Sequence, residues 1–215
     1  DLFRDRYGDL YNNFEEIDLS ERVKTLRRIP YIEQRSEEWY KLKEDTIGAS
    51  ESASIFGKNM FSNEKELLLK KAGYKQNNQD FGMNIACMHG TKYEEVVQMI
   101  YTLKHDIILY EFGSLKHEDE DLYMVSASPD GICEKGSMLE IKVPLKRKIT
   151  GIPPIYYWIQ MQQQLQVCKL DKVDFVECKI EEYLNKENFL EYREATFDFN
   201  SKCIKNVIIE YHKVV

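Results

Sequence analysis

The segment SASPDGICEKGSMLEIKVPL, residues 126–145, constrains this chain more than any other part of it. Nine residues separate Asp130 from Glu140, and one separates Glu140 from Lys142. Ser128, Pro129 and Gly131 surround Asp130 with turn-forming chemistry. Met138 to Val143 then alternates, so that Glu140 and Lys142 share one face of a strand while Leu139, Ile141 and Val143 form an apolar opposite face. Pro144 ends the pairing. A hairpin over this stretch brings Asp130 beside Glu140. Two carboxylates and an amine at one place suit a hard divalent cation, Mg²⁺ or Mn²⁺, which activates water and stabilises the charge of a phosphodiester transition state. Lys142 adds a point charge or helps to deprotonate that water. The same alternation also describes an ordinary solvated strand face, and short patterns recur by chance. The rest of the chain has to decide between the two.

With 215 residues, 43% of them hydrophobic, the chain can bury a substantial core and reads as one domain with additions. No apolar run approaches membrane-span length and no basic-then-apolar leader opens the sequence, so the expectation is a soluble intracellular protein without a membrane partner. Five cysteines form no CxxC pair, which argues against a disulfide framework and a zinc ribbon. Cys87 and His89 read as a buried thiol beside a helix-entry histidine rather than as metal ligands. A net charge of −7 argues against nucleic-acid binding through overall charge, but does not exclude a nuclease, because acidic metal ligands contribute to that total. Lys146, Arg147 and Lys148 concentrate positive charge just past the motif, where a nucleic-acid backbone would lie; elsewhere such a run is a solvated loop.

Helical spacing of Leu19, Val23 and Leu26, closed by Pro30, marks residues 1–30 as an amino-terminal helical extension to a single globular unit over 31–215. Further helices are expected from Ser36 to Lys43, from Ala49 or Ser50, from Asn63 to the stop at Gly73, from Gly90 through TKYEEVVQMIYTLKH, and over Ile155 to Val167. Strands are expected at Ile107–Phe112, Leu122–Ser126, Met138–Val143 and Lys172–Ile180. Cys203, Val207, Ile208 and Tyr211 have helical spacing. This order predicts an α/β fold, a mixed central sheet with helices on both faces and the metal motif at its open edge.

Four blocks in one order, QRSEEWYKLKEDTIGASE, HGTKYEE, SPDG followed by LEIK, and PPIYYWIQMQQQLQV, resemble the phage lambda exonuclease and YqaJ-type viral recombinase group of PD-(D/E)XK nucleases. The resemblance covers roughly residues 34–180 and implies a restriction-endonuclease-like core. It implies that Asp130 and Glu140 are metal ligands together with the carbonyl of Ile141, that Lys142 is catalytic, and that Glu94 is a further carboxylate for a pair of Mg²⁺ or Mn²⁺ ions. Without it, Glu94 is a first-turn glutamate favoured by the helix dipole. Gln160 matches a glutamine beside the catalytic lysine, Tyr157 a family tyrosine and Gln162 a second recurring glutamine. Gln162, Gln163, Gln164 and Gln166 by themselves read as helix-surface residues and Trp158 as core. Ser50 and Lys43 match the pocket for a 5′-terminal phosphate, although Ser50 by itself is an N-cap. Many relatives carry arginine where this chain has Lys43, and lysine cannot make the same bidentate contact. Trp39 and Gln34 match that block in packing and loop roles.

The implied activity is metal-dependent, 5′→3′ exonucleolytic resection of linear double-stranded DNA to 5′-phosphate mononucleotides, in recombination, repair or genome processing. A single-strand annealing protein is the implied partner, and a viral or phage-derived origin is implied as well. Some relatives form ring-shaped trimers and others act as monomers, so a homo-oligomer is open. The alternative of the same chemistry is a structure-specific or nicking endonuclease. A catalytically inactive DNA- or partner-binding module is the alternative from another class; such modules usually lose a ligand, whereas Glu94, Asp130, Glu140, Lys142 and Gln160 are all present.

Overall fold

A computed structural model describes residues 19–74, 85–180, 187 and the backbone of 208–214. Helix α1 spans Glu21–Leu26, capped by Ser20, whose Oγ accepts from Val23 N at 3.3 Å. Helix α2, Glu37–Asp45, starts in the same way at Ser36. Strand β1, Ile47–Gly48, runs into a 3₁₀ turn over Ala49–Glu51 and the short helix α3, Ser52–Ile55. Helix α4, Glu64–Lys71, opens on a capping box in which Asn63 and Glu66 satisfy each other's backbone amides at 3.0 Å.

Helix α5 spans Ile85–His105, five residues earlier than Gly90 suggests, because Ala86, Cys87 and Met88 tolerate the helix and an interior glycine costs it only about 1 kcal/mol. Strands β2 (Leu109–Tyr110), β3 (Leu115–Lys116), β4 (Val125–Ala127), β5 (Gly131–Cys133) and β6 (Met138–Lys142) follow. Helix α6, Ile155–Cys168, begins after the Pro153–Pro154 pair and ends on Lys169 in the left-handed region. Strand β7 is Val173–Lys179.

The last strand, β8, is Ile208–Val214 and pairs antiparallel with β7. The helical spacing that includes Ile208 and Tyr211 is therefore overruled: IIEYHKV is rich in β-branched and aromatic residues and completes the second edge of β7, and tertiary pairing decides such ambiguous runs. The part of that expected helix before Ile208 lies outside the described residues.

A mixed sheet has the order β2-β5-β6-β7-β8, and β1, β4 and β3 form a separate three-stranded sheet. Strands β6 and β7 are parallel, joined through α6, while β5 and β6 form the expected hairpin with Gly131 opposite Leu139. The motif strand β6 is thus the central strand of five, not an open edge. The crossover through α6 places β7 on its outer side and β8 beyond that.

Alternation along β6 sorts the core. Leu139, Ile141 and Val143 pack with Val97 and Tyr101 of α5 and with Val176 and Cys178. On the other face Met138 joins Met161, Leu165 and Cys168 of α6 and Phe175 of β7, and Val23 and Leu26 of α1 enter the same cluster. Glu140 and Lys142 lie on that α6-covered face. Cys133, Cys168 and Cys178 are buried, but Cys87 is exposed, so the expected buried thiol beside His89 is corrected. Burial pushes the Cys168 thiol up to about 12 and Cys178 to about 11, which makes both poor nucleophiles. Among the described residues, no helix is long and apolar enough to cross a membrane.

Candidate active site

The β5–β6 hairpin positions the acidic groups. Its register, continued one step, sets Asp130 opposite Glu140, and Asp130 Oδ2 accepts from the Ile141 amide at 2.6 Å. Gly131 fits this close packing, since a Cβ would lie 2.6 Å from the Leu109 side chain and force it to shift. Glu140 is fully buried. Its Oε1 accepts from Lys142 Nζ and, at 2.6 Å, from Gln160 Nε2; its Oε2 accepts from Gln164 Nε2 at 2.6 Å. Gln160 and Gln164 stand one helical turn apart on α6, so one face of that helix meets both carboxylate oxygens.

Burial pushes the Asp130 carboxyl well up, and the nearby Glu140 and Glu94 charges push it the same way against Lys142. Glu94, on α5, is also raised by burial; Lys142 opposes the shift and Glu140 adds to it. Burial disfavours the Lys142 ammonium, yet Glu140 and Asp130 overcome it and hold the amine above its ordinary range. Asp130, Glu140 and Glu94 thus disfavour one another's charge, and Lys142 offsets them. Such excess buried negative charge, carried on hard oxygen donors, fits a divalent cation. Among the described residues no three Asp, Glu, His or Cys side chains are grouped closely around one point, and Lys142, Gln160 and Gln164 donate to the Glu140 oxygens.

Several contributors were not legible as site residues. Gln164 is fully buried rather than a surface residue. Gln163 donates to Ile47 O at 2.8 Å and Ser126 O at 3.0 Å and accepts from Ser52 Oγ, tying α6 to the small sheet. Gln98 Nε2 donates to Asp130 O at 2.6 Å. The i, i+4 spacings of Gln160 to Gln164 and of Glu94 to Gln98 are the signal that identifies two of them. Gln162 is half-buried and outside the Glu140 hydrogen bonds. Trp158 is 42% exposed, which corrects its assignment to the core: it lies in the first turn of α6 with the exposed Ile155, at the margin of the packed cluster.

Tyr157 leans on Phe175 with ring centroids 5.7 Å apart, and Lys142 Nζ lies 5.0 Å from its ring centre. Arg147 approaches the same ring at 5.7 Å and binds the buried Glu177, whereas Lys146 and Lys148 are exposed.

A second charged cluster lies at the end of α2. Lys43 Nζ sits 5.0 Å from the Trp39 ring centre and reaches over Gly48, where a Cβ would come within 2.5 Å of it. Glu51 gathers Lys70 at 2.9 Å and Lys71 at 2.7 Å, and its Oε2 also accepts from Gly48 N at 3.1 Å. Burial holds the Lys43 amine below its ordinary range, opposed by Glu51 and reinforced by Lys71 and Lys70. Ser50 is exposed in the turn beside this cluster, and Gln34 is exposed ahead of α2.

A mixed sheet between helices, with two carboxylates and a lysine on its central hairpin, defines a restriction-endonuclease-like α/β domain. Residues 38–171 match the YqaJ-like viral recombinase domain, so the chain belongs to that family. It is 32% identical over 200 residues to "Uncharacterized protein R354" of Acanthamoeba polyphaga mimivirus, a match covering 85% of this chain and 36% of that protein. It is 26% identical over 162 residues to "Protein D345L" of African swine fever virus, covering 62% of this chain and 46% of that protein. The chain therefore spans between a third and a half of these viral relatives. An alkaline exonuclease from Laribacter hongkongensis has the same fold, with a TM-score of 0.58, 22% identity, and coverage of 83% of this chain and 82% of that one; a second structure of it, in complex with dAMP, matches equally.

Proposed function

We propose that this domain is a metal-dependent deoxyribonuclease that removes 5′-phosphate mononucleotides from linear duplex DNA in the 5′→3′ direction. The observation that carries the reading is the convergence of Asp130, Glu140, Lys142 and Gln160 on one hairpin and one helix face. Membership of a viral recombinase family, and the dAMP complex of an exonuclease with this fold, support a nucleotide as the product.

In this reading Glu94, Asp130, Glu140 and the carbonyl of Ile141 would hold divalent Mg²⁺ or Mn²⁺, as a pair of ions, which would supply Lewis acidity and lower the pKa of a bound water. Lys142 places its charge beside the scissile phosphate. Gln160 and Gln164 orient Glu140 through its two oxygens. Lys43 and Ser50, with the Lys70 and Lys71 amines nearby, receive the 5′-terminal phosphate and so select a strand end. Tyr157, Gln162, Lys146, Arg147 and Lys148 line or steady the DNA path past the motif. Action inside cells, a single-strand annealing partner and a homo-oligomeric assembly belong to the same proposal.

The test is digestion of linear duplex DNA with and without a 5′ phosphate, beside closed circular DNA, in Mg²⁺ and with Lys142→Ala as control. Mononucleotide release from the phosphorylated linear substrate alone, lost in the variant, is expected. Cutting of the circle would move the assignment to an endonuclease, and no cleavage with any divalent metal would leave a binding module.

A further inference from the structure

The loop between α3 and α4 presents apolar side chains that no core explains. Phe61 is 73% exposed, and Met60 and Phe56 stand out beside it. The loop is nonetheless firmly pinned. Gly57 N donates to Ser54 O at 3.2 Å and Lys58 N to Ala53 O at 2.8 Å; Asn59 Nδ2 donates to Ser54 Oγ at 2.9 Å, and Phe61 N donates to Asn59 Oδ1 at 3.0 Å. An aromatic ring held in water by a tied loop is preorganised for a flat partner.

Phe61 also has a direction. Its ring meets Tyr156 edge-on at 5.8 Å between centroids, Tyr156 meets Tyr157 at 4.4 Å, and Tyr157 lies 5.0 Å from Lys142 Nζ. A continuous file of rings therefore leads from the surface to the lysine of the candidate site. Arg147, beside Tyr157, adds a cation along it. Rings with interspersed cations are what an unpaired nucleic-acid strand takes, because every base has a stacking face and every linkage a negative charge. An aliphatic protein partner needs neither the ring file nor its continuity with the lysine.

We infer that Phe61, with Tyr156 behind it, is a stacking site for an unpaired nucleobase of the strand entering the site. This rests on the nuclease reading for the choice of ligand, but its test does not need cleavage. The probe is a short single-stranded oligonucleotide carrying one 2-aminopurine, scanned along the strand, bound to the full chain in the Lys142→Ala background. At one register the fluorescence is expected to be quenched on binding. Phe61→Ala and Phe61→Leu should both lose the quench and bind about tenfold more weakly, and Phe61→Trp should restore both. With an abasic site at that register, Phe61→Ala should bind as tightly as the protein that keeps Phe61. Melting temperatures should not change, since the side chain is exposed.

Full quenching and affinity in Phe61→Leu would mean an apolar contact without stacking and would overturn the inference. So would an absence of quenching at every register, as a protein-docking surface predicts, or an equal loss of affinity for abasic DNA. If the unsubstituted Lys142 protein cleaves nothing while the Phe61-dependent quench persists, the nuclease reading fails and the stacking site stands.

Discussion

Glu140 concentrates the consequences of single residues, because a buried carboxylate with one donor removed is left with an unmet hydrogen bond. Gln164→Leu removes the donor to Oε2 at nearly constant volume. It is expected to destabilise the fold by about 1–3 kcal/mol and to lower turnover, measured by denaturant melts and by initial rates on linear DNA. An unchanged melt and rate would mean that Gln164 is idle. Glu51 provides a pH signature away from the acidic centre. Burial alone would raise its carboxyl, but the hydrogen bonds from Lys70 and Lys71 outweigh burial and hold it below the usual 4.5. Its folded value is the lower one, so its contribution is present in full above about pH 4.5 and is lost as pH falls through that lower value. Glu51→Gln should therefore be less stable than the unsubstituted protein above about pH 4.5 and have a shallower acid limb, so that the gap closes as pH falls. Identical limbs would refute the pairing.

Among the elements, α1 bears most directly on how the chain divides. Residues 1–30 lie before the blocks of family resemblance, yet Val23 and Leu26 are fully buried against Met161 and Phe175. We propose that α1 belongs to the stable unit whatever residues 1–18 do. Leu26→Ala should cost about 2–5 kcal/mol in urea unfolding, and a cost near zero would restore α1 to the status of an appendage. Helix α6 shows how one element serves two tasks. Met161, Leu165 and Cys168 fill the core, while Gln160 and Gln164 face Glu140. Its length and limits were legible from the Pro pair and from the apolar spacing. Its burial of glutamine was not, since composition ranks glutamine as exposed and only the facing carboxylate reverses that.

At the scale of the molecule, charge governs the expectations. In a chain of net charge −7, Asp130, Glu140 and Glu94 disfavour one another's charge with Lys142 opposing, so a bound cation should stabilise the folded state through linkage. Millimolar Mg²⁺ is expected to raise the melting temperature of the unsubstituted protein and to leave Asp130→Asn nearly unmoved; equal shifts in both would argue for non-specific screening. The sequence alone was enough for the class of the fold, for the hairpin that sets Asp130 beside Glu140, and for the two faces of Met138–Lys142, because strand alternation and turn chemistry act between near neighbours. It was also enough for the limits of most helices, which caps and prolines mark locally. Tertiary structure decided the rest: that β6 is central rather than at an edge, that the carboxy-terminal run is a strand, that Trp158 is exposed, and that Gln98, Gln163 and Gln164 bond across elements. Each of these depends on partners far away in the chain, whose pairing and burial outweigh local propensity.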